Sequence, residues 1–167
     1  MRHRLPLIVA VVAAALALPV VASAQQTISG TFKDQLLRPA GPCSPTAIFC
    51  ITGTFDNAPA TVTFTLTSFS PTSRSCADVT GITEITLADA QQSVLTLADT
   101  GQVCFPGNSM VGQGIQARSY GNPFQQAGSL SLISGTGRYA SATSASGSDS
   151  FFSAGAAFSA TVTVTLS

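Results

Sequence analysis

TVTFTLT, residues 61–67, decides the fold. Its apolar side chains alternate with threonine at a period of two, which puts Val62, Phe64 and Leu66 on one face of an extended chain and the threonines on the other. β-branched threonine suits a wet sheet face and is a mediocre helix former. The same alternation ends the chain, where Phe158, Ala160, Val162, Val164 and Leu166 take turns with Ser159, Thr161, Thr163 and Thr165.

Between these two stretches the period is shorter-lived but recurs. Residues 27–33 can open a sheet, and residues 48–55 can follow after the Pro-rich segment 38–45. Residues 82–88 and 94–98 can pair through a turn at 89–92. Further strands are expected at 101–105, 110–118 and 129–133. Residues 139–152, a mixture of Ser, Ala and Gly, read either as a strand of small residues or as a hairpin arm. This makes eight to ten short strands and no long amphipathic helix. The segments 38–45, 70–75 and 106–109 are short enough to join neighbouring strands. The fold class is therefore all-β: a single antiparallel barrel of eight strands, or up to ten, with a β-sandwich as the alternative.

The first residues point to a compartment. Arg2 and Arg4 precede an apolar run from Leu5 to Val21, and Ala22-Ser23-Ala24 fits a signal-peptidase site, with Pro19 interrupting the run just before it. The expected organisation is a signal peptide at residues 1–24 and one exported domain at 25–167, secreted or periplasmic, cleaved between Ala24 and Gln25. No membrane span is expected after cleavage. The domain then has five basic side chains (Lys33, Arg38, Arg74, Arg118, Arg138) against seven acidic ones (Asp34, Asp56, Asp78, Glu84, Asp89, Asp99, Asp149), a net charge of −2. Such a chain lacks the electrostatic footprint that holds nucleic acid or an anionic membrane.

His3 is the only histidine of the 167 residues. The exported domain consequently has no Ser-His-Asp or Cys-His nucleophile and no histidine-ligated metal. Cys43, Cys50, Cys76 and Cys104 are even in number, lack the C-x-x-C spacing and belong to an oxidising compartment, so they read as two disulfides. The favoured pairing is Cys43 with Cys50, closing a short loop, and Cys76 with Cys104. Loop entropy gives the two about 2.5 and 3.6 kcal/mol. No cofactor or metal is expected: the acids are dispersed and no D-x-D-x-D-G run occurs. A sugar-stacking platform is thinly supplied by Tyr120 and Tyr139 without any Trp.

Gly135-Thr136-Gly137-Arg138-Tyr139-Ala140 fits the pattern G-x-G-x-x-A of a dinucleotide loop. That loop works only where a helix begins at once and its N-terminal amides hold the pyrophosphate. Residues 139–147 are poor helix formers, and too little chain remains for a βαβ unit. The expectation is a turn, with Gly135 and Gly137 free to take positive φ and Tyr139 resuming the pleat.

The same stretch, SLISGTGRYASATSASGS, resembles the glycine-turn segment near the C-terminal end of dirigent and allene oxide cyclase type barrels and of many bacterial exported proteins. The matching elements are the Gly135-Thr136-Gly137 turn and the Arg138-Tyr139 step. The resemblance implies an eight-stranded antiparallel barrel whose apolar interior is either packed solid or holds a small hydrophobic ligand. It carries neither family's activity onto this chain, because their working acidic residues are not matched here.

Three readings of function follow. The first is a non-catalytic exported barrel with a structural or interaction role, which requires a filled interior without a buried titratable pair. The second is a binder of a small hydrophobic ligand. The third is an isomerase-like or cyclase-like enzyme that uses Glu84. With Ile82 and Thr86 turned inward, Glu84 becomes a desolvated carboxylate suited to acid–base work. With Thr83, Ile85 and Leu87 inward instead, it is an ordinary surface charge. Glu84, Arg138 and Tyr139 are the pocket candidates, Arg138 with a preference for the rim. A homodimer is expected only through an open barrel edge.

Overall fold

A computed structural model describes residues 25–34, 46–105, 123–154 and 157–167. The expected signal peptide with its cleavage site, Cys43, Tyr120, the strand expected at 110–118 and the loops expected at 38–45 and 106–109 lie outside the described residues.

Eight antiparallel strands follow one another around a closed barrel: β1 (Gln26–Asp34), β2 (Phe49–Phe55), β3 (Ala58–Pro71), β4 (Cys76–Leu87), β5 (Val94–Cys104), β6 (Phe124–Gly135), β7 (Ala145–Ala154) and β8 (Ala157–Leu166). Closure is made by β1 against β8, with Ile28 opposite Val164 and Phe32 opposite Ala160. Closure removes the free edge on which a dimer by strand addition depended.

Alternation does what the sequence asked of it. Val62 and Phe64 of β3 and Val162 and Val164 of β8 are buried, and the threonines between them are more exposed. An eight-stranded barrel is just wide enough for inward side chains to meet at its axis, and here they do. Phe49 stacks on Phe64 with ring centroids 5.4 Å apart and meets Phe151 at 4.4 Å, while Phe124 lies between Phe105 (6.1 Å) and Phe158 (5.7 Å).

Two sequence expectations change. Residues 94–98 and 101–105 are not separate strands: β5 runs through from Val94 to Cys104, because Asp99, in phase with Leu95 and Leu97, turns inward and keeps the pleat. Tyr139 does not resume a strand. It ends a 3-10 turn, Gly137–Tyr139, and β7 begins only at Ala145.

The barrel has two unlike ends. At one, the short β2–β3 and β4–β5 turns meet the β6–β7 connection. At the other, β4 and β5 are tied by the Cys76–Cys104 disulfide, whose partners sit directly opposite in the ladder with Cα atoms 4.1 Å apart. Cys50 is also disulfide-bonded.

Candidate functional sites: a rim clamp and a buried acid pair

The glycine motif builds the first polar cluster. Gly137 has φ +58°, and a Cβ there would press within 2.8 Å of Ser93 Cα and Cβ, so both its conformation and its contact exclude a side chain. Gly135 is required for a different reason than expected. Its φ is not positive, and a Cβ on it would run into Tyr139.

This tight approach lets the Arg138 amide donate to Ser93 Oγ (2.9 Å) while Ser93 Oγ donates to Asp89 Oδ2 (2.7 Å). The Arg138 guanidinium then spans two turns: Nε donates to Asp89 Oδ2 at 3.1 Å and Nη1 to Asp56 Oδ2 at 3.2 Å. Tyr139 is buried edge-on to Phe55 and donates its hydroxyl to the same Asp56 oxygen at 3.3 Å. The amide and hydroxyl of Ser93, followed by Arg138, hold the Asp89 carboxyl below the usual carboxylate range. Burial pushes the Tyr139 phenol up.

Arg138 and Tyr139 therefore clamp the rim, and with Gln26, Asp56, Ser141 and Ser167 they line a hollow of about 250 Å³ that opens outward rather than into the barrel interior. Glu84 joins neither cluster. It is exposed on the outer face of β4, whereas Thr83, Ile85 and Leu87 are buried. An enzyme reading that draws on Glu84 inside the barrel is thereby removed.

The second cluster was missed from the sequence. Asp99 (1% exposed) on β5 and Asp149 (5%) on β7 both point into the barrel and converge over Gly128 on the strand between them. Gly128 lies directly opposite Asp149, and a Cβ on it would stand 2.6 Å from Asp149 Oδ1 and closer still to Asp99 Oδ1. Thr83 Oγ1 donates to Asp99 Oδ2 at 3.1 Å and Gln126 Nε2 to the same oxygen at 3.3 Å. Asp99 Oδ1 and both carboxyl oxygens of Asp149 are buried with no donor side chain other than the facing carboxyl.

Burial raises both carboxyls, against the Asp149 and Thr83 hydrogen bonds in the case of Asp99. Asp149 is pushed up to about 8, first by loss of solvent and then by the hydrogen bond and charge of Asp99. The signal for this pair was present in phase alone: Asp99 follows Leu95 and Leu97 at steps of two, and Asp149 precedes Phe151 by two.

At the aromatic end, above Gln126, a crevice between Phe49, Phe64, Phe105 and Phe124 holds only about 10 Å³, room for a single water at most. A hollow of about 360 Å³ lies on the outer wall beside Gln102, Gln125 and Phe152. Among the described residues no group of three or more metal-ligating side chains comes together, and no helix is long and apolar enough to cross a membrane. Among the described residues the inward rings pack against one another, as the non-catalytic reading asks. The buried acid pair is what that reading excluded, and this part of the expectation is corrected. Comparison of the chain with protein-family models, with curated proteins and with solved structures finds no match.

Proposed function

We propose that the chain is a non-catalytic, exported β-barrel domain whose role is structural or one of interaction through its outer surface. The observation that carries this reading is the filled interior: inward aromatic rings meet across the axis and leave a crevice of about 10 Å³, where ligand sites ordinarily run to about 300 Å³ or more. A disulfide across β4 and β5 supports an oxidising destination, in keeping with the leader-like residues 1–24. The closed eight-stranded architecture agrees with the barrel implied by the glycine-turn resemblance.

The aromatic crevice favours a second reading, a binder of a small hydrophobic ligand. Its lining is almost wholly apolar, with Gln126 as the polar group at its base. Native mass spectrometry of the purified exported protein, followed by titration with a fatty acid and with a simple phenol, separates the two. The structural reading expects the bare polypeptide mass and no saturable binding. A stoichiometric adduct, or binding that Phe124→Ala alters, overturns it in favour of the second.

A further inference from the structure

The buried acids pose an electrostatic problem that their surroundings do not solve. Among the described residues the buried polar side chains are Thr83, Ser93, Asp99, Gln126, Asp149 and Ser153, together with Tyr139 at the clamped rim. Only the two aspartates carry charge. β4 faces the pair with Thr83, and β6 faces it with Gln126 and Gly128. The inward positions described on β1, β2, β3 and β8 are aliphatic, aromatic or glycine. Two carboxylates so placed, without a cation, cannot both remain ionised in a medium of low dielectric.

The hydrogen bonds indicate how the charge is divided. Both neutral donors, Thr83 and Gln126, go to Asp99 Oδ2, which marks Asp99 as the ionised member. The three orphaned oxygens are the remaining oxygen of Asp99 and the two of Asp149. One proton on Asp149, donated to Asp99 Oδ1, pairs two of the three: that acceptor and the Asp149 oxygen that carries the proton. Gly128 makes that approach feasible, since any side chain on it would stand between the carboxyls.

We propose that Asp99 and Asp149 share one proton across Gly128, and that this proton is a pH-sensitive latch holding the β5–β6–β7 wall closed around the filled interior. When the proton leaves in alkali, two like charges face each other in the core and that wall loosens next to the aromatic end. Because the folded-state affinity for the proton is raised, the latch contributes its full stability below the unfolded-state value near 4. The contribution drains away as pH rises and is gone once pH passes the folded value of about 8.

The test is thermal unfolding of the full exported domain between pH 4.5 and 9, paired with infrared spectra of its carboxyl groups. The wild type is expected to lose about 5 °C or more in Tm over this range and to level off near the top of it. A protonated-acid carbonyl band is expected at pH 6 and absent at pH 9. Asp149→Asn, whose amide can donate to Asp99 Oδ1 without titrating, is expected to remove both the slope and the band. A wild-type slope that survives in Asp149→Asn, or the absence of the acid band at pH 6, overturns the proposal. So does a Tm raised by calcium at pH 7 in the wild type and not in Asp149→Asn, since a cation would then be the pair's partner. Should Asp149→Asn fail to fold, Asp99→Asn with the same spectra decides: with the facing charge gone, the acid band of Asp149 should disappear at a lower pH than in the wild type, and an unchanged value overturns the proposal.

Discussion

The rim clamp and the buried pair use the same side chain to opposite ends. At the rim, Asp89 receives the amide and hydroxyl of Ser93 and the guanidinium of Arg138, and its carboxyl is held low. In the core, Asp149 receives no side-chain donor and faces another carboxyl, and its affinity for a proton is raised. The difference does not lie in the aspartate but in where donors are spent. Where turns meet, an amide, a hydroxyl and a guanidinium converge on one carboxylate; within the strands the amides of Gly128 and Asp149 lower Asp149 only in part, and loss of solvent together with the facing carboxyl prevails.

The contrast is broken most severely at its glycine floors. Gly128→Ala places a methyl group in the space the two carboxyls occupy, so that both must turn out of their buried positions to admit it. A loss of about 3 kcal/mol is expected in urea unfolding. A loss below about 1 kcal/mol would mean that the carboxyls can part at little cost, and that their convergence is not a constraint. Gly137→Ala should cost less, about 1–2 kcal/mol, combining a left-handed backbone with a contact against Ser93. Chemical denaturation of the two variants side by side ranks core against rim. Equal losses would contradict the comparison.

What the sequence disclosed depended on whether one strand or two were needed to see it. Period-two runs such as 61–67 and 158–166 display their buried face within a few residues, and eight such runs suffice to argue for a barrel. The clamp was half visible, because Gly137 and Arg138 belong to one motif, but Asp56 and Asp89 reach it from turns distant in sequence. The acid pair was masked for a physical reason. Asp99 stands beside Thr100-Gly101 and Asp149 within Ser148-Asp149-Ser150, the company that aspartate keeps in turns. That company split β5 into two expected strands. Only the register of β5 and β7 on β6, with Gly128 opposite Gly101 on one side and Asp149 on the other, brings the carboxyls together.

The smallest expected effect is at Arg138, and it sharpens the comparison most finely because its sign can be read from pH. Arg138 is 39% exposed along its side chain, so its ion pairs are screened by water and salt. Arg138→Gln should lower Tm only slightly, and the difference should shrink further as salt is added. The Asp89 carboxyl, being held low, contributes stability that is present above its unfolded-state value of 3.8 and lost as pH falls through the folded one. Removing Arg138 should therefore flatten the profile only on the acid side, where the clamp is weakened. The descent from pH 4.5 to 8, which belongs to the core pair, should stay in place. Differential scanning calorimetry of wild type and Arg138→Gln across pH 2.5–9 reads both limbs in one series. If the variant also changed the descending limb, the clamp and the acid pair would be coupled through β6 and β7 and could no longer be treated as two independent answers to one electrostatic problem.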